Sequence, residues 1–321
     1  MGKLLMDSTG QSILTELLRH NNNVENIQGS LANLDTTNKL NLVSAINELA
    51  GNIGTLGNLD TTNKANLVAA LNEILDFTKP LREASGAGLH NSLYSGKNLG
   101  TALTAEQSAA IRAGTFDDLW VGDYWEITIN SNTYIFRIAD FDYFYRSGDM
   151  ECVTHHVVVV PDTTFYLQVM NATDITTGGY VGSVMYKSGL NNAKTIINNA
   201  FGSDHILKHR EYLQNAVTSG YPSAGAWYDS TVELMTEQMV YGGKVLGTAC
   251  NGSTIPNLYT VAKSQLALFR LRPDIICCRV PYWLRDVVSG ACFANVNYIG
   301  NANYSNASNS AIGVRPAFTI Y

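Results

Sequence analysis

The chain has 321 residues, a net charge of −6 and a hydrophobic content of 45%, enough for one large globular domain beside a smaller or elongated part. Its 21 lysines and arginines form no dense basic block, which argues against a nucleic acid as partner. The five cysteines show no Cys-x-x-Cys spacing, so neither a disulfide framework nor a zinc site is indicated. No apolar run reaches the length of a membrane span or of a signal-peptide core, so we expect a soluble protein without membrane insertion.

An internal repeat marks the N-terminal part of the chain. Residues 34–49 read LDTTNKLNLVSAINEL and residues 59–74 read LDTTNKANLVAALNEI, so 12 of 16 positions are identical at a period of 25. Asp35 or Thr36, and Asp60 or Thr61 in the second copy, can cap a helix. Apolar residues then recur at the spacing of one helix face: Leu42, Val43, Ile46 and Leu49, and in the second copy Leu67, Val68, Leu71 and Ile74.

These two apolar stripes need a partner. Helices of about a dozen residues are marginal alone in water, and the glycine-containing link between them prevents each stripe from covering the other well. We therefore expect residues 1–78 to form a trimeric, coiled-coil-like helical stalk with the stripe residues at the contact between chains. An intramolecular helical hairpin is the alternative. A further helix over residues 11–20 carries Ile13, Leu14, Leu17 and Leu18 on one face.

The pattern after the repeats changes twice. Residues 78–100 are rich in Gly, Ser and Asn, so we expect a linker and a short helix over residues 79–115, the helix starting at Thr104 and ending before Gly114. From Trp120 the segments YWEITI, TYIFRIADF and HHVVVVPDTTFYLQVM predict strands, with a buried central strand at residues 157–160. We expect helices at residues 190–200, 204–217 and 227–238, followed by short strands, which together predict an α+β fold.

The last strands carry a resemblance. Residues 281–318 read PYWLRDVVSGACFANVNYIGNANYSNASNSAIGVRPAF, which joins a Tyr-Trp-Leu-Arg strand, an Asn/Tyr/Ser/Ala-rich loop and a closing Gly-Val-Arg-Pro-Ala-Phe. This segment resembles the end of the C-type-lectin-like domains that diversity-generating retroelements diversify, best known as phage tropism determinants. The repeats resemble those of phage tail-fibre and baseplate proteins. The resemblance implies a C-type-lectin-like ligand-binding domain at residues 116–321 with a variable segment at about 282–312.

That family implies recognition rather than catalysis. Its mutagenesis is directed at adenines, which makes asparagine codons the most variable, and six asparagines fall within residues 295–309 here. Tyrosine supplies rigid contact area and asparagine supplies adaptable hydrogen bonds, as in antibody loops. The implied ligand-binding residues are Asp286, Val288, Asn295, Asn297, Tyr298, Ile299, Asn301, Asn303, Tyr304, Asn306 and Asn309.

Two other chemical signals are weak. His205 and His209 have the spacing of zinc ligands on a helix but lack the intervening glutamate of metalloproteases. Formylglycine-generating enzymes share the broad lectin-like fold and use cooperating cysteines, but the adjacent Cys277 and Cys278 would point apart on a strand. We therefore expect no enzyme, no metal and no cofactor.

Together these features predict a phage tail-tip receptor-binding protein, made in the host cytoplasm and carried in the virion. The expected partners are a glycan or protein receptor on the host surface, further copies of the chain in a homotrimer, and other phage tail proteins bound through the N-terminus. A structural or decorating virion protein, or an adhesin of fixed specificity with the same fold, is the alternative.

Overall fold

The computed structural model describes residues 8–28, 33–83, 86–214, 217–218, 221–222, 225–247 and 265–321. The chain divides into two compact units, Met1–Arg82 and Glu83–Tyr321. The described helices are α1 Ser8–Gln28, α2 Leu42–Ile53, α3 Leu67–Glu83, α4 Ala87–His90, α5 Ala105–Ala113, α6 Gly179–Gly182, α7 Asn191–Phe201, α8 Glu237–Tyr241 and α9 Ala267–Leu271. The described strands are β1 Tyr124–Ile129, β2 Asn132–Phe141, β3 Val157–Pro161, β4 His209–Gln214, β5 Val217–Thr218, β6 Tyr221–Pro222, β7 Gly225–Ser230, β8 Val232–Leu234, β9 Tyr282–Val287, β10 Cys292–Val296, β11 Ala302–Asn306 and β12 Pro316–Ile320.

The first unit contains the expected repeat helices, α2 and α3, and the expected helix over residues 11–20 within the longer α1. The helix caps are different from those expected. Oδ1 of Asn41 accepts a hydrogen bond from the N–H of Ser44 at 2.8 Å, and Oδ1 of Asn66 accepts one from Ala69 at 2.9 Å. Asparagine is among the best capping residues, so the cap lies six residues beyond the aspartate that the sequence suggested.

Each repeat is closed by a glutamate from its helix. The Glu48 carboxylate accepts the N–H groups of Thr37 and Asn38 at 2.8 and 2.6 Å. In the second repeat Glu73 accepts the N–H of Thr62 at 2.8 Å and also that of Asn63. These hydrogen bonds hold the loop that precedes each helix against the helix, so the repeat is a unit of loop and helix rather than a helix alone.

The second unit is built around a five-stranded antiparallel sheet in the order β1-β2-β3-β12-β8. Strand β3 is third in this order and all of its residues are buried, as predicted from its unbroken run of apolar side chains. The C-terminal strand β12 lies between β3 and β8. A second antiparallel sheet has the order β11-β10-β9, and β4 pairs with β7.

The stretch expected to be a linker packs onto the second unit instead. His90 is buried, with Nδ1 2.6 Å from the carbonyl oxygen of Leu119, and the Asn91 amide donates to Asp140 at 3.0 Å. The helix predicted after Thr104 is confirmed as α5, with a capping box between Thr104 and Gln107. Polar and backbone groups share this packing with Ala87, Tyr94 and Leu99, which lie against the main hydrophobic cluster, and these scattered apolar residues form no periodic pattern in the sequence.

Two expected helices are wrong. Of residues 204–217, the described ones contain the end of a 3-10 turn at Ser203–His205, strand β4 and the first residue of β5, and residues 227–238 contain most of β7, all of β8 and only the start of α8. In β4 the buried positions alternate, as in a strand, but two of them are the polar His209 and Glu211, so the alternation was invisible in the hydropathy. The helix expected at residues 190–200 is confirmed as α7.

Candidate recognition surface

Strands β10 and β11 form the antiparallel hairpin in which most of the predicted site residues lie. Asn295 is opposite Asn303 and Ala294 is opposite Tyr304 in the register. Both faces of β10 are buried, since Phe293 packs in one hydrophobic cluster and Ala294 in the other. Strand β11 lies at the edge of its sheet, and its side chains are mostly exposed or half-buried.

The outer end of this hairpin gathers five of the predicted ligand-binding residues in the solvent. Tyr298, Ile299 and Tyr304 are 62%, 56% and 52% exposed, and the asparagine side chains beside them are exposed as well. We call this set the hairpin surface. It consists of Tyr298, Ile299, Asn301, Asn303 and Tyr304.

The turn that carries Tyr298, Ile299 and Asn301 of the hairpin surface is fixed by polar contacts. Oδ1 of Asn297 accepts the N–H groups of Ile299 at 3.0 Å and Asn301 at 2.9 Å. Asn297 therefore shapes the turn, which is a different task from the ligand contact predicted for it. Gly300 adopts φ +92°, a conformation that residues with a Cβ rarely adopt.

Two residues outside the hairpin donate hydrogen bonds to the same turn. The hydroxyl of Tyr241 donates to the carbonyl oxygen of Gly300 at 3.0 Å, and the thiol of Cys277 donates to that of Tyr298 at 3.2 Å. A Cβ on Gly300 would lie 3.2 Å from Cβ of Cys277, so the contact is tight. The exposed side chains thus stand on a backbone that is anchored at several points.

Three predicted site residues lie below the surface. Asp286 is buried, and its carboxylate accepts the N–H of Glu237. Asn295 is buried, and its amide donates to Oγ of Ser305 at 3.0 Å. Val288 is partly buried against the main hydrophobic cluster. Both Asp286 and Asn295 are thus engaged inside the fold rather than presented on its surface, and the ligand contact expected of them stays a prediction.

Asp174 joins the far end of the hairpin to a distant loop. Its carboxylate accepts the amide of Asn306 at 2.9 Å and both the N–H and the hydroxyl of Ser308, at 3.0 and 2.6 Å. These contacts, led by the Ser308 hydroxyl, lower the pKa of Asp174 below its ordinary value. Asp174 is 132 residues from Asn306 in sequence, and no local pattern indicated it. The side chain of Asn309 accepts the N–H of Ala311 at 2.9 Å, which makes it a turn residue.

A buried ionic pair supports the sheet beneath the hairpin. Arg285 on β9 is paired with Glu211 on β4, and His209 Nε2 lies 3.0 Å from the other Glu211 oxygen. Burial alone would raise the pKa of Glu211, but Arg285 and His209 lower it to about 2. Arg285 therefore links strands of two sheets.

The described residues contain no group of three His, Cys, Asp or Glu side chains placed to hold a metal ion. Among the described helices, none combines the length and the apolar character needed to cross a membrane. His209 begins β4, so the helical spacing of His205 and His209 expected from the sequence does not occur. Comparison of the chain with family models, curated proteins and solved structures found no match.

Proposed function

We propose that this chain is the receptor-binding protein of a phage tail tip, with a C-type-lectin-like head that contacts a ligand on the host surface through the hairpin surface. The observation that carries the proposal is the exposure of Tyr298 and Ile299 on a turn anchored by Tyr241 and Cys277, with Tyr304 exposed on the adjoining strand β11. A backbone that is fixed before binding loses little conformational entropy, and tyrosine has few rotatable bonds to immobilise, which favours recognition.

The chemistry of the hairpin surface suits a recognition site. Phenol rings offer apolar area together with a hydroxyl, and the amides of Asn301 and Asn303 donate and accept hydrogen bonds. None of the five side chains carries a charge at neutral pH. Affinity on such a surface depends on shape and hydrogen bonding, and side chains of this kind can be exchanged without disturbing the buried frame of Phe293 and Val296.

The N-terminal unit supports an assembled form of the protein. The stripe residues of both repeats are exposed within the single chain, with Val43 and Val68 each 66% exposed. We assign these stripes to contacts in a homotrimeric stalk, and the N-terminus to attachment to other tail proteins. Three heads on one stalk raise the effective affinity of a weak site by about 10²–10⁴ when they engage together.

Whole-cell binding tests the head. The full chain is labelled with a fluorophore and applied to a panel of bacterial strains, alongside a variant in which Tyr298, Ile299 and Tyr304 are all changed to Ala. We expect binding to particular strains, and a loss of about tenfold or more in the variant. A matched control changes Met150 and Val153, which are 65% and 68% exposed elsewhere on the same unit. Equal binding by the wild type and the triple variant would contradict the proposal.

Sequencing of the gene across a phage population grown from one clone tests diversification separately. Under the proposal, substitutions concentrate at the codons of the hairpin surface, while Phe293, Val296 and residues 313–318 stay constant. Rare changes spread evenly over residues 282–312 would instead support an adhesin of fixed specificity or a structural virion protein.

A further inference from the structure

The hydrogen-bond register of β11 leaves one side of this strand open. The N–H of Asn297 donates to the carbonyl of Asn301 at 2.9 Å, and the N–H of Ala307 donates to the carbonyl of Ala291 at 2.9 Å. In an antiparallel ladder the hydrogen-bonded pairs alternate with non-bonded ones, so Asn303 and Ser305 also direct their backbone groups toward β10. The residues between them direct theirs away from β10.

Ala302 and Tyr304 therefore present their N–H and C=O groups outward. Over the residues that the structure describes, no hydrogen bond reaches the backbone of either residue, and β11 pairs with β10 alone. These groups recur about every 7 Å along the strand, which is the repeat of a β-ladder. Tyr304 is 52% exposed, so the edge is accessible beside it.

Over the residues that the structure describes, the part of this edge at Ala302–Tyr304 lacks the charges, prolines and bulges with which proteins usually block strand addition. Charged side chains, prolines, bulges and covering segments discourage pairing at an edge. The sequence of β11 is ANYSN, with neither a charge nor a proline. The irregularity of register in this sheet lies between β10 and β9 and does not involve β11. An unprotected edge within the hairpin surface is consistent with selection for a partner rather than against one.

We propose that β11 is the docking edge for an extended polypeptide segment of the receptor, which adds to the three-stranded sheet as a fourth strand. The inference rests on the proposed function and narrows its ligand from a surface molecule of any kind to a protein. An extended chain supplies alternating N–H and C=O groups at the spacing that Ala302 and Tyr304 require, and strand addition is a known mode of peptide recognition. Sugar hydroxyls have no such regular alternation.

The side chains next to this edge would then set specificity. Successive residues of a strand point to opposite faces, so an added strand contacts Tyr304 on one face and Asn303 with Ser305 on the other. Backbone pairing supplies affinity that survives when these side chains change. A diversified site gains from this division of roles between backbone and side chains, because each new set of side chains adds to the affinity that backbone pairing already supplies.

The test distinguishes the contribution of the backbone N–H of residue 302 to peptide binding from the contribution of its side chain. Random linear peptides of about ten residues, the upper length of a common strand, are selected for binding to the immobilised full chain. An enriched peptide is then titrated calorimetrically against the wild type, Ala302→Pro and Ala302→Thr. Proline removes the outward N–H of residue 302 while the ladder to β10 keeps its hydrogen bonds, and threonine changes only the side chain. We expect about a tenfold or greater loss with proline and little change with threonine.

Amide hydrogen exchange gives the second readout and shows that the proline variant is folded. Peptide binding should slow exchange at Ala302 and Tyr304, while Asn303 and Ser305, already bonded to β10, change little. In the Ala302→Pro variant Ser305 should keep its protection, which confirms that the hairpin is intact.

Several outcomes would overturn the proposal. A peptide that binds the Ala302→Pro variant as tightly as it binds the wild type must bind elsewhere on the protein. The same holds for a peptide that leaves the amide exchange rate of Tyr304 unchanged. Protection of Tyr304 in the wild type without peptide, lost in Ala302→Pro, would mean that a second copy of the chain occupies the edge. If no peptide is enriched but the triple alanine variant still loses cell binding, the receptor function stands and strand addition fails.

Discussion

Oδ2 of Asp286 accepts a hydrogen bond from the backbone N–H of Glu237 at 2.7 Å, and both residues are buried. Glu237 in turn accepts the N–H groups of residues 245–247 through its carboxylate. Strand β9 is thereby joined to the start of α8 and to the segment after it. Asp286 belongs to this internal network, although its place in the predicted variable segment suggested a ligand contact.

Replacing Asp286 should therefore damage stability rather than binding specificity. Asp286→Ala leaves the buried N–H of Glu237 without its acceptor, which lowers the free energy of unfolding by about 1–3 kcal/mol. Urea denaturation measures this. Asn303→Ala, on the exposed edge strand, is the control and should stay within about 0.5 kcal/mol of the wild type. Equal changes in the free energy of unfolding from the two substitutions would show that Asp286 does not stabilise the fold through this internal network.

The glutamates that close the repeats predict a response to acid. Backbone N–H groups, led by those of Thr37 for Glu48 and Asn63 for Glu73, lower both carboxyl pKa values below 4.5. A lowered pKa means that the stabilisation is present above 4.5 and is lost as the pH falls through the lowered value. The amide NMR shifts of Thr37 and Asn38 should follow that titration. In a Glu48→Gln variant they should become insensitive to acid while the second repeat, an internal control, still responds.

The exposed stripes predict the oligomeric state. Val43→Asp combined with Val68→Asp places a charge in each stripe, where contact between chains would bury it without a partner. Light scattering should show the wild type as a trimer and this variant as a monomer with a folded head. The control, Ser44→Asp with Ala69→Asp, adds the same charges away from the stripes and should remain trimeric. A trimer that persists in the stripe variant would show that another surface joins the chains.

Asp140 predicts a pH dependence of opposite sign to that of the glutamates. Burial raises its pKa to about 7, although the N–H of Ala267 and the amide of Asn91 both donate to it. A raised pKa means that the contribution is fully present below 3.8 and is lost as the pH rises through about 7. The stability of the wild type relative to Asp140→Asn should therefore fall over this window, by up to about 4 kcal/mol.

Chemical denaturation at a series of pH values measures that difference. Asp149→Asn is the control, because the hydrogen bond from Arg210 lowers the pKa of the exposed Asp149. The wild type should gain stability relative to this variant as the pH rises from acid. Parallel curves for the wild type and Asp140→Asn would show that folding does not shift the pKa of Asp140.

Local patterns predicted the elements whose burial follows their own periodicity. The repeat helices, α5, α7 and the first three strands of the second unit were predicted because apolar spacing or a capping motif lies within each segment. Strand β4 was mistaken for a helix because its buried positions His209 and Glu211 are polar. Their burial depends on Arg285, which is 74 residues from Glu211, and no window along the chain contains that pairing.

The same division holds for the candidate site. The sequence by itself determined that residues 282–312 are rich in Asn and Tyr, because composition is a property of the chain. Only the tertiary structure decided that Tyr298 and Tyr304 face solvent while Asp286 and Asn295 are buried, and that Asp174 holds the hairpin end. Exposure depends on which neighbouring elements pack over a strand, and those neighbours come from distant parts of the sequence.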